Sequence, residues 1–145
     1  KLLRQTLADM DGEIQKSPYK FKIDIPKEAV MVYADGDRMY RVFQNLIGNA
    51  LKYSLEGSRI YISLKTEKNA AVADIRNTSR SELKQDVDFT ARFTRGDESR
   101  TDGGSGLGLS IAKSFTEACG GTFEVETMAD LFTVKVSFEQ KKCNV

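Results

Sequence analysis

Asp37 to Tyr53, DRMYRVFQNLIGNALKY, is the stretch from which the rest of the chain is read. Its apolar residues Met39, Val42, Phe43, Leu46, Ile47, Ala50 and Leu51 recur at intervals of three and four, the signature of one buried helix face. A second stripe runs beside it through Arg38, Arg41, Asn45, Asn49 and Lys52. At about 100° per residue, Asn45, Asn49 and Lys52 share one narrow sector next to the apolar face. A helix face in open water is more usually built from Glu and Lys, because Asn is a poor helix former. Two amides one turn apart beside the core fit two readings. Either the helix is half-buried with both amides satisfied, or the amides are held for a polar ligand.

Working outward, Leu2, Leu3, Leu7, Met10 and Ile14 predict an amphipathic helix over residues 2–16, ended by Ser17-Pro18. Residues 19–25, YKFKIDI, alternate like a half-buried strand. Val30 to Ala34 predicts a short apolar strand, Asp35-Gly36 a turn, and Asp37 the cap of the central helix. Beyond that helix, Ile60-Ile62-Leu64 and Ala71-Ala73-Ile75 predict neighbouring strands joined around Glu67 to Asn69. From Asn77 to about Gly106 the periodicity fails. A loop of that length between strong elements is usually a lid, here with a short helix expected near residues 86–94. Helical spacing returns from Leu107 to Ala118, Gly120-Gly121 ends it, and residues 122–126 and 131–138 are the last two strands. The expected fold is an α/β two-layer sandwich: a mixed sheet of about five or six strands, covered on one face by three helices, with a long lid.

Composition narrows the function. The chain has 145 residues, enough for one domain that buries roughly 68–70% of its unfolded surface without a staple. Twenty-two Lys and Arg against 21 Asp and Glu leave a net charge of +1, which argues against general nucleic-acid binding. No apolar run is long enough to span a bilayer. The two cysteines, Cys119 and Cys143, lack metal-ligand spacing and have no histidine companions, so free thiols in a reducing compartment are expected. With no histidine, the chain holds no His-based nucleophile, base or metal ligand.

Three pieces carry chemistry. Gly103-Gly104-Ser105-Gly106-Leu107-Gly108-Leu109-Ser110 closes the loop and opens a helix. Its glycines allow close backbone approach, and the helix start offers free N–H groups and the positive dipole end to a phosphate. It follows no strand and lacks Lys-Ser/Thr, so it is neither a dinucleotide fingerprint nor a P-loop. The loop carries Arg92, Arg95 and Arg100, which either face water or neutralise a transferred phosphoryl group. Asn45 and Asn49 suit Mg²⁺ or its waters, since magnesium prefers oxygen and keeps much of its water shell. Lys52 lies one turn on, within reach of a phosphate, and Tyr53 is either a core aromatic or a neighbour of a base or ribose.

In order, NLIGNALKY, a strand ending in Asn77, FTARF, GGSGLGLS and Cys119-Gly-Gly-Thr resemble the catalytic ATP-binding domain of bacterial sensor histidine kinases. That domain belongs with the gyrase, heat-shock chaperone and mismatch-repair ATPases. The resemblance covers residues 1–140. It implies a Mg²⁺ ligand at Asn49 with Asn45 beside it, a phosphate contact at Lys52, and Tyr53 near the nucleotide. Phe89 and Phe93 match the phenylalanine box, and Arg95 matches the basic lid position near the terminal phosphate; Arg92, in the same loop, is a further candidate contact for the nucleotide. Gly104, Gly106, Leu107, Gly108 and Leu109 match the glycine box that holds the phosphates. One place departs. Where the family usually reads Asp-x-Gly-x-Gly, this chain reads Asn77-Thr78-Ser79-Arg80-Ser81, so the adenine-reading Asp is replaced by Asn77.

The resemblance implies a protein histidine kinase domain that takes ATP and Mg²⁺ and donates the γ-phosphoryl group to a histidine on a dimerisation domain outside this chain. On its own the chain would not suffice. Residues 1–17 would end a linker within the same domain, 18–140 would be the catalytic domain and 141–145 a tail. A response regulator would be the further partner. The chain alone is expected to be monomeric and cytoplasmic, its parent a homodimer anchored in the bacterial cell membrane. Two alternatives stay open: an anti-sigma-type serine kinase of the same fold, and a nucleotide-sensing interaction module without kinase activity. The non-Met start and the Leu-rich opening helix favour continuation from a coiled stalk.

Overall fold

The computed structural model describes residues 1–83, 88–90 and 108–140. The central stretch is α3 (Gly36–Tyr53), and it buries Met39, Val42, Phe43, Leu46, Ile47 and Ala50, the face that the spacing predicts. Its cap is Asp35 rather than Asp37. The Asp35 carboxylate accepts from the backbone N–H of Asp37 at 2.9 Å and of Arg38 at 3.2 Å, satisfying two of the helix start's orphan donors. The helix expected over residues 2–16 breaks at Met10 (φ −97°, ψ 6°) into α1 (Leu2–Asp9) and α2 (Asp11–Lys16).

The strands are β1 (Lys20–Asp24), β2 (Arg59–Glu67), β3 (Ala70–Thr78), β4 (Thr122–Met128) and β5 (Leu131–Glu139). They form a mixed sheet in the order β1-β2-β3-β5-β4. β1 runs parallel to β2, with Phe21 opposite Ile60, and α3 supplies the long crossover a parallel pair needs. The other pairs are antiparallel. Lys68 (φ 46°) and Asn69 (φ 68°) make the tight β2–β3 turn at the predicted place. The strand expected at Val30 to Ala34 reduces to a single bridge between Val32 and Gln140.

Alternation along the strands sends Ile60, Ile62, Ala73, Ile75, Val134, Val136 and Phe138 into one core with the buried faces of α1, α3 and α4 (Gly108–Ala118). This is the two-layer sandwich the sequence implies. After α4, Gly120 takes φ +85°, and Gly121 packs so closely that an added Cβ would lie 2.7 Å from the Phe138 ring. The lid between Asn77 and Gly106, and the short helix expected near residues 86–94, lie mostly outside the described residues. Of the phenylalanine pair, Phe89 is described and Phe93 is not. Phe89 is buried and meets Phe132 edge-on, centroids 5.2 Å apart and ring planes at 85°.

Candidate nucleotide site

The site is built along one side of α3. Asn45, Asn49, Lys52 and Tyr53 are all partly buried, as a stripe bordering the core requires. The Asn45 side-chain amide donates to the carbonyl oxygen of Gly108, the first residue of α4, at 3.4 Å. That contact sets the asparagine stripe of α3 beside the end of the glycine-rich run and the start of an 11-residue helix. A helix start of this kind presents unpaired N–H groups and the positive dipole end. Gly108 is exposed and an added Cβ there would meet nothing within 4 Å, so the backbone is open to approach. Leu109, by contrast, is only 4% exposed and its side chain belongs to the core. What Leu109 can offer a ligand is therefore its backbone N–H. The Asn49 amide makes no hydrogen bond to another described residue, and the Lys52 ammonium stands 5.8 Å from the Tyr53 ring centroid.

The end of β3 carries the remaining described candidate, Asn77. Asn77 is 3% exposed and lies on the helix-facing side of the sheet, between Ile60 of β2 and Phe132 of β5 in register. Its side-chain amide makes no hydrogen bond to another described residue. Phe89 caps Phe132, the strand neighbour of Asn77. Three backbone contacts lock the exit of β3 against the end of α3. Leu55 N–H donates to the Thr78 carbonyl at 2.8 Å, Arg80 N–H to the Tyr53 carbonyl at 3.0 Å, and Ser54 and Ser79 form a bridge. The Tyr19 hydroxyl donates to the Ser54 carbonyl at 3.1 Å, tying β1's start to the same corner.

Of the predicted site residues, the described set thus brings together Asn45 and Gly108 by direct contact, and Tyr53 and the Asn77 strand end by backbone pairing. Arg92, Arg95, Gly104, Gly106 and Leu107 lie outside the described residues. Tyr19 and Ser54, which pin the corner, carry no local sequence signal, because residues 35 apart meet only in the fold. Among the described residues no three His, Cys, Asp or Glu side chains cluster as a metal site.

Residues 34–141 match the family model described as histidine kinase-, DNA gyrase B- and HSP90-like ATPase. The chain belongs to this ATPase family. It is 36% identical over 118 residues to the sensor histidine kinase YcbM of Bacillus subtilis, covering 79% of this chain and 38% of the relative. It is 32% identical over 144 residues to the sensor histidine kinase RppB of Synechocystis, covering 92% of this chain and 32% of the relative. The chain therefore spans about a third of the length of these two relatives. The catalytic domain of histidine kinase ThkA shares the fold, with a TM-score of 0.81 at 22% identity, over 96% of this chain and 90% of that one.

Proposed function

We propose that this domain binds Mg-ATP between α3 and the start of α4 and donates the γ-phosphoryl group to a histidine outside this chain. The observation that carries this reading is the Asn45–Gly108 contact, which joins the polar stripe of one helix to the phosphate-suited start of another. Asn77, buried on the sheet side with no hydrogen-bond partner for its amide among the described residues, supports a base pocket, and Phe89 over Phe132 supports its wall.

The donor chemistry fits magnesium. One half-buried amide oxygen, at Asn49, with phosphates and waters completing the shell, suits a cation that is seldom held by an all-protein cage. When bound, magnesium would offset charge on the β- and γ-phosphates. The chain's own groups do the rest. Asn49 would help hold the cation, Asn45 lies beside it and contacts the start of α4, and Lys52 would meet a phosphate. The backbone N–H groups that open α4 receive phosphate oxygens, as helix starts do. Arg95, by its match to the basic lid position, and Arg92 beside it, would offset charge on the transferred group. Catalysis of this kind is positioning plus charge stabilisation for an in-line transfer.

ATP supply places the domain in the cytoplasm. Among the described residues no helix is long and apolar enough to cross a membrane. We propose that the parent protein is a membrane-anchored homodimer whose dimerisation domain bears the histidine and whose phosphoryl group passes to a response regulator. The replacement of the acidic base reader by Asn77 favours one second reading, a nucleotide-sensing module without transfer. Labelled ATP separates the readings. The chain contains no histidine, so alone it should carry no acid-labile label, while the full-length parent should become labelled. Acid-stable label on Ser or Thr of this chain would instead indicate a serine kinase, and a parent that binds ATP but takes no label would indicate the sensing module.

A further inference from the structure

β1 is an edge strand, so one of its two rows of backbone groups faces no other strand. The Lys20 N–H donates to the Ser58 carbonyl at 3.1 Å, so Lys20, Lys22 and Asp24 turn their N–H and C=O groups toward β2. The alternate residues, Phe21 and Ile23, turn theirs outward. None of these outward groups has a hydrogen-bond partner among the described residues. The free row ends at Ile25, whose carbonyl accepts from the Arg4 guanidinium at 3.1 Å.

A groove of about 410 Å³ runs beside this edge. One wall is Tyr19, Phe21 and Ile23, and the other is Leu7 of α1 with Ile14 of α2. The groove is reached from solvent, and Ile23 is 49% exposed. The one charged residue in the lining, Asp11, has its carboxylate taken by the Gln15 amide at 3.3 Å. Free edge backbone beside an apolar groove suits an extended peptide: main-chain hydrogen bonds supply affinity, and alternate side chains entering the groove supply specificity. A docking helix would leave the edge unpaired, because its own backbone groups are bonded within it.

Charge selects the peptide. Lys20 and Lys22 are exposed on the open face of the sheet, and Arg59 stands beside Lys20 in register. Asp24, the last residue of β1, limits the cationic positions on this strand to those two. Opposed residues of neighbouring strands share a face, where opposite charges stabilise and like charges destabilise. An added strand therefore places apolar residues against Phe21 and Ile23 and acidic ones against Lys20 and Lys22. Two copies of the chain paired with Phe21 against Ile23 would set Lys22 against Lys22, which disfavours self-pairing.

We propose that the free edge of β1 is a docking site for an extended segment of a partner protein that alternates apolar and acidic residues and adds a sixth strand to the five-stranded sheet. The site lies beside α1 and α2, apart from the α3–α4 stripe, and does not depend on the reading of the nucleotide site.

The test uses two capped peptides of about seven residues, one alternating Glu with Val and one alternating Lys with Val, each long enough to span the edge. In amide NMR of the intact chain, the Glu–Val peptide should shift Phe21 and Ile23 saturably and slow hydrogen exchange at both. The Lys–Val peptide should bind at least tenfold more weakly. Ile23→Pro removes an outward donor without touching the bonds to β2, and should weaken the Glu–Val peptide at least tenfold. The double variant Lys20→Glu, Lys22→Glu keeps every backbone donor, should reverse the preference between the peptides, and serves if Ile23→Pro misfolds. Cooperative thermal unfolding confirms that each variant is folded. Absence of saturable shifts at Phe21 and Ile23 would overturn the proposal. So would equal binding of the two peptides, undiminished binding by folded Ile23→Pro, an unchanged preference in the double variant, or self-association of the chain through this edge.

Discussion

The side-chain amide of Asn45, midway along α3, donates to the carbonyl oxygen of Gly108, where α4 begins, 63 residues further on. A 3.4 Å amide–carbonyl contact is weak in energy, but it shows which face of α3 looks at the start of α4. The predictions below follow from that placement and from the contacts around it.

Asn49 lies one turn beyond Asn45, and its amide has no hydrogen-bond partner among the described residues. Asn49→Ala should leave the unfolding midpoint without ligand nearly unchanged, since Ala is the better helix former and no contact is lost. The same change should reduce Mg²⁺-dependent nucleotide affinity about tenfold or more. Titrations of parent and variant with and without Mg²⁺ check this. Equal enhancement by Mg²⁺ in both would make Asn49 merely structural.

Asn77 is buried at the end of β3, and its amide has no hydrogen-bond partner among the described residues. A carboxylate there would only accept hydrogen bonds, so it favours an adenine amino group and repels a guanine keto oxygen. An amide presents both a donor and an acceptor and can turn either to the base. The parent should therefore bind ADP less tightly, and separate ADP from GDP less sharply, than Asn77→Asp. Four dissociation constants settle the matter. Discrimination unchanged or poorer in the variant would show that residue 77 does not read the base.

Gly121 faces the Phe138 ring, and an ideal Cβ added there would also come within 2.9 Å of the Ser137 carbonyl oxygen. Backbone and an aromatic ring wedged in the core yield poorly, so Gly121→Ala should cost about 1–3 kcal/mol. Urea unfolding of parent and variant measures it. A loss below about 0.5 kcal/mol would mean that the β4–β5 edge repacks freely.

The Tyr40 hydroxyl donates to the Asp9 carboxylate at 2.7 Å, linking α3 to α1. That hydrogen bond, with smaller contributions from burial and the carboxylate's charge, raises the phenol above its ordinary value of about 10. The folded value exceeds the unfolded one, so the contact's stabilisation is complete below about pH 10 and fades as pH rises through the raised value. In Asp9→Asn the phenol should titrate lower than in the parent. Ring-labelled tyrosine NMR follows it, and an unchanged midpoint would contradict the linkage.

How much of this was legible depended on how local its cause was. The buried face of α3 followed from residues three and four apart, because 18 residues sustain the pattern. The break at Met10 did not, since buried Met10 continues the apolar spacing and outweighs the Asp11-Gly12 pair that follows it. The DGD sequence offers two caps, and backbone geometry selects Asp35. The apolar run Val30 to Ala34 read as a strand, yet among the described residues its strand pairing is a single bridge, Val32 with Gln140. Asn45, Asn49 and Lys52 were visible as a stripe, and the glycine-rich run as a phosphate-suited loop. The contact between the two, and the Tyr19–Ser54 pin, needed the fold.

The most direct measurement is calorimetry of this chain with ADP and a non-hydrolysable ATP analogue, each with and without Mg²⁺. Binding between α3 and α4 predicts one saturable site per chain for both nucleotides, strengthened by Mg²⁺ and weakened by Asn49→Ala. No saturable heat for either nucleotide, or binding indifferent to Mg²⁺ and to Asn49→Ala, would contradict it.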